Sequence, residues 1–293
     1  MTTTSRGDIA QQQHYVPQFH LRQWAEPGDA QIRVLDKAIP RVFVTSSRNV
    51  GGEKFYLGDS PGAQAIEEAF ARLESGIGKT YSKIKDRKSL AALSESELDD
   101  LHLYVASMIV KPKETRESSK QLAEELASWI AAATGMTDWT MRMTEEGAAD
   151  FHLDSFANIP KYASLLRNLG KSLLLNDTGI SFTTSDNPVT RHNSLPSRPQ
   201  GGGRLGLACQ GILLHMPISP KLCLVLYDKR TYAVPTSVVP SDIRDVLLVR
   251  ELQLRQCYRH VFCGENEDFT TEMKLLGLDQ SIGKPDRRRF VTG

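Results

Sequence analysis

The chain has 293 residues, of which 40% are hydrophobic and 24% charged, a composition that excludes a disordered chain and indicates a globular one. Lys and Arg total 36 and Asp and Glu total 35, so the net charge of +1 gives no overall attraction to nucleic acid, to an anionic membrane or to a basic partner. A chain of this length buries roughly three quarters of the surface that its unfolded form exposes, so a sizeable core is expected.

Membrane segments and disulfides are not expected. Residues 1–13 are polar, and the longest clean apolar run, residues 222–227, is far too short to cross a bilayer. We therefore expect no membrane contact and a cytoplasmic location. The cysteines show no CxxC and no zinc spacing, which predicts buried, reduced thiols in an intracellular protein. They are Cys209, Cys223, Cys257 and Cys263.

The first motif of the chain is the string QHYVPQ at residues 13–18. Pro17 can begin a short helix that carries Trp24 inward, which places His14 just ahead of a helix on a stiffened backbone. Histidine transfers protons near neutral pH, so His14 is a candidate general base or metal ligand. The alternative is structural: His14 and Gln18 bond to the backbone and hold the N-terminal segment in place.

A small N-terminal strand pair and three amphipathic helices follow. Residues 31–35 and 41–46 are rich in β-forming side chains and flank a turn-like segment, which predicts the strand pair. The first helix begins after the N-cap Ser60, the second begins at the capping box of residues 94–97, and the third ends at Gly135. The apolar faces are Ile66, Phe70, Leu73, Ile77, Tyr81 and Ile84 in the first helix, Leu98, Leu101, Val105, Met108 and Ile109 in the second, and Leu122, Leu126, Trp129 and Ile130 in the third.

Two glutamates border the apolar face of the first long helix. At ~100° per residue, Glu67 and Glu74 lie on one flank of the apolar stripe, whereas Glu68 points to solvent. Two carboxylates beside a core stripe suit acid–base chemistry or metal binding. Seven residues of helix separate their backbones by ~10.5 Å, so a shared ion needs a third group between them. Ordinary boundary glutamates are the alternative.

Strand signals dominate after residue 170. A helix at 156–169, a hairpin joining 173–175 to 180–184, strands at 212–216, 222–227 and 261–263, and a helix capped by Ser241 are predicted.

The order of these elements favours an α+β fold over a βαβ alternation. We expect central helices packed on one face of a mostly antiparallel sheet in a single domain at 14–280, with a helical middle at 60–170 and a strand-rich part at 171–265. A flexible N-terminus at 1–13 precedes the domain, and a solvated tail at 281–293 follows it.

The second motif is the string TSDNPV at residues 184–189, directly after a predicted strand. Residues at a strand end are held rigidly and often face a cleft, which suits Asp186 as a base or carboxylate ligand and Ser185 and Asn187 as hydrogen-bonding partners. The alternative is a turn in which Asp and Asn bond only to the backbone.

A glycine-rich string at residues 201–206 formally matches GxGxxG. A dinucleotide fingerprint leaves a strand directly and opens a helix, whereas this string ends a long Pro/Ser-rich loop and leads to a strand, so we exclude that function. Residues 191–210 are expected to form a mobile loop, whose Arg191, Arg198 and Arg204 can close over an anionic ligand.

The order and spacing of several motifs resemble the bacterial family known as domain of unknown function 4238. The resemblance spans about residues 13–265 and implies that several polar residues form one recurring set, without implying a reaction. Relatives tend to have an Arg-Thr-Pro string where this chain has Lys111-Pro112, with Arg116 further on. The motifs are HYVPQFHLRQW from His14, Asn49-Val50, Phe55-Tyr56, Glu67, Leu73-Glu74, FTTSDNPV from Phe182, and PISP from Pro217. The set is His14, Arg22, Glu67, Glu74, Ser185, Asp186 and Asn187.

These residue types predict a hydrolase of the phosphodiesterase or nuclease kind, acting on an anionic small molecule or a nucleic acid with Mg²⁺ or Mn²⁺. The alternative is a non-catalytic module that binds a ligand or a protein in the same polar cleft. A third hypothesis is that both motifs are structural and join the N-terminus to the sheet. The predicted catalytic residues are His14, Asp186 and Glu74, the substrate-binding residues are Arg22, Gln18, Ser185, Asn187 and Lys111, and the metal ligands are Asp186, Glu67 and Glu74.

Overall fold

The computed structural model describes residues 12–26, 28–135, 142–195, 205–234, 237–264 and 266–277. The strands are β1 (Gln12–His14), β2 (Gln31–Asp36), β3 (Arg41–Ser46), β4 (Gly52–Lys54), β5 (Gly170–Asn176), β6 (Thr184–Ser185), β7 (Thr190–His192), β8 (Leu213–Ser219), β9 (Leu222–Tyr227), β10 (Val238–Ser241) and β11 (His260–Cys263). The helices are α1 (Gln18–Leu21), α2 (Pro61–Arg87), α3 (Glu95–Val110), α4 (Lys113–Ala133), α5 (Glu145–Ser155), α6 (Ile159–Arg167), α7 (Ile243–Gln256) and α8 (Thr270–Leu275).

The described strands form three sheets. The largest has the order β10-β5-β9-β8-β7, the second has the order β3-β2-β11-β6, and β1 pairs with β4 alone. All strand pairs are antiparallel except β10 with β5. The fold is therefore α+β, as the order of helix and strand signals predicted.

Side-chain alternation along β9 shows how the largest sheet is covered. Leu222, Leu224 and Leu226 join the main core, to which α2, α3 and α6 contribute. Cys223 and Val225 face the other way and pack against apolar residues of α7. Because successive strand residues point to opposite faces, this sheet is buried on both sides. The helices were expected on one face only, and α7 supplies the second layer.

The two long helices of the middle region begin where their caps predict. Ser60 Oγ accepts a hydrogen bond from Ala63 N at the start of α2, and α3 begins with the predicted capping box of Ser94 and Glu97. Phe70 and other residues of the predicted stripe are buried in the core. Helix α3 ends just before Pro112, because proline has no backbone N–H to continue the hydrogen bonds of the helix.

The hairpin predicted at 173–184 is wrong. Strand β5 pairs with β9 and β10, whereas β6 belongs to the other sheet and pairs with β11. The side chain of Asn176 redirects the chain, because its Nδ2 donates to Ile180 O at 2.8 Å and to Pro220 O at 3.2 Å. Turn residues between two apolar runs identify a reversal of direction, but they do not specify the strand that follows as a partner.

The apolar stripe of α4 differs most from its prediction. The helix is present and Gly135 follows it with a φ of +79°, but the stripe is exposed to solvent rather than buried. Helix α5, which packs beside α4, was not predicted. Periodicity identifies an amphipathic face, and it does not show whether a partner covers that face. The exposed fractions are 66% for Leu122, 54% for Leu126, 69% for Trp129 and 49% for Ile130.

Smaller features also bear on the predictions. Asp242, and not Ser241, caps α7, because Ser241 lies in β10 and its Oγ donates to Leu175 O. None of the four cysteines forms a disulfide within the described residues, and the three that are buried are in line with the prediction. The first eleven residues, most of the glycine-rich string and the tail from residue 281 lie outside the described residues. In the described part of the chain, no helix has the length and apolar character needed to span a membrane.

Candidate functional site

The short strand β1 positions the first motif. It pairs antiparallel with β4, so that His14 lies opposite Gly52, and Pro17 then starts α1. Gln13 is buried on one side of β1, where its Oε1 accepts from Leu57 N at 2.6 Å and its Nε2 donates to Gly58 O at 3.2 Å. His14 faces the opposite side, because side chains alternate along a strand.

Six of the predicted site residues gather on that side of β1, and we call them the N-terminal cluster. Arg22 Nη2 donates to Gln18 Oε1 at 2.9 Å, and Gln18 Nε2 lies 3.2 Å from His14 Nε2. The charges of Lys111 and Glu74 both act on the imidazole of His14. The N-terminal cluster consists of His14, Gln18, Arg22, Glu67, Glu74 and Lys111.

The imidazole of His14 is held in a way that leaves one nitrogen free. Its Nε2 lies 3.3 Å from Arg48 O and can donate to that carbonyl, or it can accept from Gln18 Nε2, but a single nitrogen cannot do both. Nδ1 forms no hydrogen bond with the described residues. In the tautomer that donates to Arg48, the lone pair of neutral His14 is on Nδ1, where it can accept a proton. Burial lowers the pKa of His14, which favours this neutral form.

Lys111 and Glu74 form a partly buried ion pair in the N-terminal cluster. Lys111 Nζ lies 3.1 Å from Glu74 Oε1 and 4.4 Å from the centre of the Phe70 ring, and its side chain is only 2% exposed. The lysine sits at the C-terminal end of α3, where Tyr56 Oη donates to its carbonyl at 2.8 Å. The junction of α3 and α4 thus fixes a cation beside His14.

Glu67 is the least satisfied member of the N-terminal cluster. Its Oε2 atom is buried and accepts no hydrogen bond from a described residue. Burial raises the pKa of Glu67; the charge of Glu74 adds to the rise and that of Lys111 opposes it. A carboxyl group in this setting readily holds a proton, which makes Glu67 suited to act as an acid.

The second motif forms a closed knot of hydrogen bonds. The Asp186 carboxylate accepts from the backbone N–H groups of Tyr258, Arg259 and His260, each at 2.8 Å. Burial raises the pKa of Asp186 to about 6, and the three backbone bonds oppose that rise. This side chain is 0% exposed and joins the start of β11 to the end of β6. The geometry is the turn-like alternative considered from the sequence.

The neighbours of Asp186 are bound in the same way. Ser185 Oγ donates a buried hydrogen bond to Gln253 Oε1 at 2.6 Å, and Asn187 Nδ2 donates to Gln256 O at 2.8 Å. Both partners belong to α7, so the second motif ties the strand exit to that helix. Asn187 remains partly exposed.

The structure therefore separates the predicted site residues into two groups. The charged groups that act on His14 are those of Lys111 and Glu74, whereas the charge of Asp186 acts on Tyr15. Nowhere in the described ranges do three His, Cys, Asp or Glu side chains lie close enough together to hold a metal ion. The predicted metal set of Asp186, Glu67 and Glu74 is thus not brought together.

Two residues that the sequence reasoning did not select connect the motifs. His20 is completely buried, with Nδ1 at 3.1 Å from Tyr81 Oη and Nε2 at 3.0 Å from Thr184 Oγ1. Trp24 Nε1 donates to Phe182 O at 2.8 Å. These contacts had no direct signal in the sequence, because α1 ends before Trp24 and the partners lie 61 or more residues further along the chain.

Two cavities lie outside the N-terminal cluster. One of about 430 Å³ is lined by Tyr15, Lys113, Tyr258 and His260 among other residues. The His260 ring stands between two buried carboxylates, with Nε2 at 3.9 Å from Asp36 Oδ2 and Nδ1 at 4.0 Å from Asp186 Oδ2. The second cavity, of about 770 Å³, lies beside α4 and is considered below.

The fold and the N-terminal cluster define an α+β protein with an acid, a neutral imidazole and a buried lysine at the junction of β1, α2 and α3. The chain belongs to the family described as protein of unknown function (DUF4238), whose profile matches residues 12–267. No curated protein and no solved structure is significantly similar to the chain.

Proposed function

We propose that the protein is a hydrolase that cleaves a phosphodiester, in a small molecule or a nucleic acid, at the N-terminal cluster. The observation that carries the proposal is Glu67, whose Oε2 is buried near a second carboxylate and accepts no hydrogen bond from the described part of the chain. Such a group lowers stability, and buried unsatisfied acids of this kind are concentrated at functional sites.

The roles of the cluster residues follow from their protonation states. Neutral His14 takes a proton from a water molecule, whose oxygen attacks phosphorus. Protonated Glu67 gives its proton to the leaving oxygen as the phosphorus–oxygen bond breaks. The exposed Arg22 offers positive charge to the phosphoryl oxygens, and the buried Lys111, held by Glu74, adds positive potential from behind. Proton exchange with solvent restores both groups.

Asp186 has no role in this scheme, although the sequence suggested one. Its two carboxylate oxygens are already used by three backbone N–H groups. The predicted divalent ion is still compatible with the site if it binds as Mg²⁺ commonly does, through one or two carboxylates together with the phosphates of the substrate. Glu74 is the carboxylate available for it, because Glu67 carries the transferred proton in this scheme. A cytoplasmic location also belongs to the proposal, and it is supported by three buried cysteines that form no disulfide with a described residue.

The test is hydrolysis of bis(p-nitrophenyl) phosphate, single-stranded DNA and RNA by the wild-type protein, with Mg²⁺, with Mn²⁺ and with a chelator. We expect Glu67→Gln and His14→Gln each to lower the rate by about 10²- to 10⁴-fold, the usual contribution of acid–base groups. Glu68→Gln is the matched control, because the adjacent Glu68 is exposed and should leave the rate unchanged.

The pH dependence gives a second readout. The pKa of His14 is lowered and that of Glu67 is raised, so the form with neutral imidazole and protonated carboxyl is favoured on the acid side of neutrality. We expect a bell-shaped profile with its maximum below neutral pH. Hydrolysis that survives in both variants, or that is absent from the wild type with every substrate, contradicts the proposal.

A further inference from the structure

A cavity of about 770 Å³ lies between α4, the end of α7 and the segment that follows β6. Its volume falls within the range of about 300–1,000 Å³ that is typical of small-molecule sites. The lining combines an apolar wall with a few polar groups, as such sites usually do. The apolar wall consists of Ile109, Leu122, Val189, Leu205, Leu254 and Leu276.

Arg191 is the polar residue that distinguishes this cavity. Its backbone is fixed at both ends by the side chain of Gln256, which accepts from Arg191 N at 2.9 Å and donates to Arg191 O at 2.7 Å. The guanidinium makes one long hydrogen bond, from Nη1 to Leu205 O at 3.4 Å, and no described carboxylate forms an ion pair with it. Burial lowers the pKa of Arg191, which shows that the cation has lost part of its hydration.

Two other buried or partly buried arginines of the protein are paired with carboxylates. Arg250 forms two bonds with Glu272, at 2.8 and 2.6 Å, and Arg259 forms two bonds with Asp36, at 2.9 and 2.7 Å. A desolvated guanidinium without such a partner is costly, and a bound anion supplies the missing charge. Arg191 differs from Arg250 and Arg259 in this respect, and it lines a cavity.

The remaining charged groups of the lining do not satisfy Arg191. Glu114 accepts a hydrogen bond from Ser118 Oγ at 2.7 Å, and Arg255 pairs with Glu251. Lys37 Nζ donates to the carbonyl of Cys257. The lining thus contains three cations, Lys37, Arg191 and Arg255, against one carboxylate, Glu114. The cavity consequently favours a negatively charged occupant.

We propose that this cavity is a binding site for a small amphipathic anion. Its carboxylate, sulfonate or phosphate group pairs with Arg191, and its apolar body packs on the apolar wall. Asn187 borders the site and supplies a further polar contact. None of the lining residues belongs to the N-terminal cluster, so the proposal stands independently of the hydrolase.

Fluorescence with two related dyes tests the proposal on the full-length protein. Anilinonaphthalene sulfonate carries the anionic group, and phenylnaphthylamine has the same kind of ring system without it. We expect saturable binding of the sulfonate and much weaker binding of the uncharged dye. Equal binding of both dyes, or no saturable binding of the sulfonate, overturns the assignment.

Two substitutions locate the site. Arg191→Gln should weaken sulfonate binding by about tenfold or more, as expected when a charge-assisted partner is lost, and Leu122→Gln should weaken both dyes. Arg72→Gln, on the exposed side of α2, is the control and should bind like the wild type. Unchanged sulfonate affinity in folded Arg191→Gln contradicts the proposal.

Competition keeps the test decisive if Arg191→Gln does not fold. Octanoate and octanol differ in their headgroup and share their apolar chain. We expect octanoate to displace the sulfonate from the wild-type protein at concentrations at which octanol does not. Equal displacement by the two compounds shows that the anion is not recognised and overturns the assignment.

Discussion

At the scale of single residues, Glu67 and Asp186 are acidic side chains in opposite settings. The Asp186 carboxylate accepts three backbone hydrogen bonds, whereas Glu67 has a buried oxygen that accepts none from the described residues. The first arrangement stabilises the fold and the second weakens it. This contrast identifies Asp186 as a fastener and Glu67 as the functional candidate.

Asp186→Asn should destabilise the protein. An asparagine oxygen can still accept from two of the three backbone groups, but its NH₂ then opposes the third N–H. One unsatisfied buried donor costs about 1–3 kcal/mol, so we expect a loss of that size in the free energy of unfolding measured with urea. Asp177→Asn, in an exposed turn, is the control and should change stability by less than about 0.5 kcal/mol. Equal stability of the two variants contradicts the fastener role.

The sequence predicted part of the site at this scale. Helical spacing placed Glu67 and Glu74 on one flank, and both act with Lys111 in the N-terminal cluster. The sequence did not show that His14 and Asp186 lie in different groups. The side of β1 on which His14 lies depends on the pairing of β1 with β4, and that pairing is a long-range property. That Arg191 has no carboxylate partner among the described residues could not be predicted either, because ion pairing is a property of the folded chain.

At the scale of elements, the apolar faces of α3 and α4 look alike in the sequence and differ in the fold. Leu101 of α3 is 3% exposed, whereas Leu126 of α4 is 54% exposed. Capping residues and proline positions predicted where the long helices begin and end, because these signals are local. Burial and strand partners were predicted less well, since they depend on which elements meet.

The same substitution in the two helices measures this difference. Leu101→Ala should lower the free energy of unfolding by about 2–5 kcal/mol, because it leaves a cavity in the core. Leu126→Ala should change the free energy of unfolding by less than about 0.5 kcal/mol, as is usual for surface positions. Chemical denaturation of both variants checks the prediction. Comparable losses would show that the α4 stripe is covered in solution.

At the scale of the whole molecule, four buried histidines make the fold sensitive to acid. Burial lowers the pKa of His20 to about 3 and those of His102, His152 and His215 to about 4. In the unfolded chain each histidine takes up a proton near the ordinary value of 6.5. As the pH falls below that value, the unfolded state binds protons that the folded state does not bind, so the free energy of unfolding decreases.

We therefore expect the free energy of unfolding to fall steeply as the pH drops from about 6.5 towards 4, each histidine contributing up to about 1.4 kcal/mol per pH unit. The raised pKa values of Asp186 and Glu67 act in the opposite direction and offset part of this slope. His215→Gln removes one titrating group, so its slope should be shallower than that of the wild type. Urea titrations at several pH values measure the pH dependence of the free energy of unfolding for both proteins. Identical slopes for His215→Gln and the wild type would contradict the buried neutral state of His215.

We propose that the N-terminal cluster is retained for function at a cost in stability. The most direct measurement is the free energy of unfolding of Glu67→Gln beside that of the exposed control Glu68→Gln. Because the substitution removes a carboxylate that burial disfavours, the account predicts a stability equal to or higher than that of the wild type. A loss of more than about 1 kcal/mol, the size of a typical structural hydrogen bond, would show that Glu67 holds the fold together and would contradict the account.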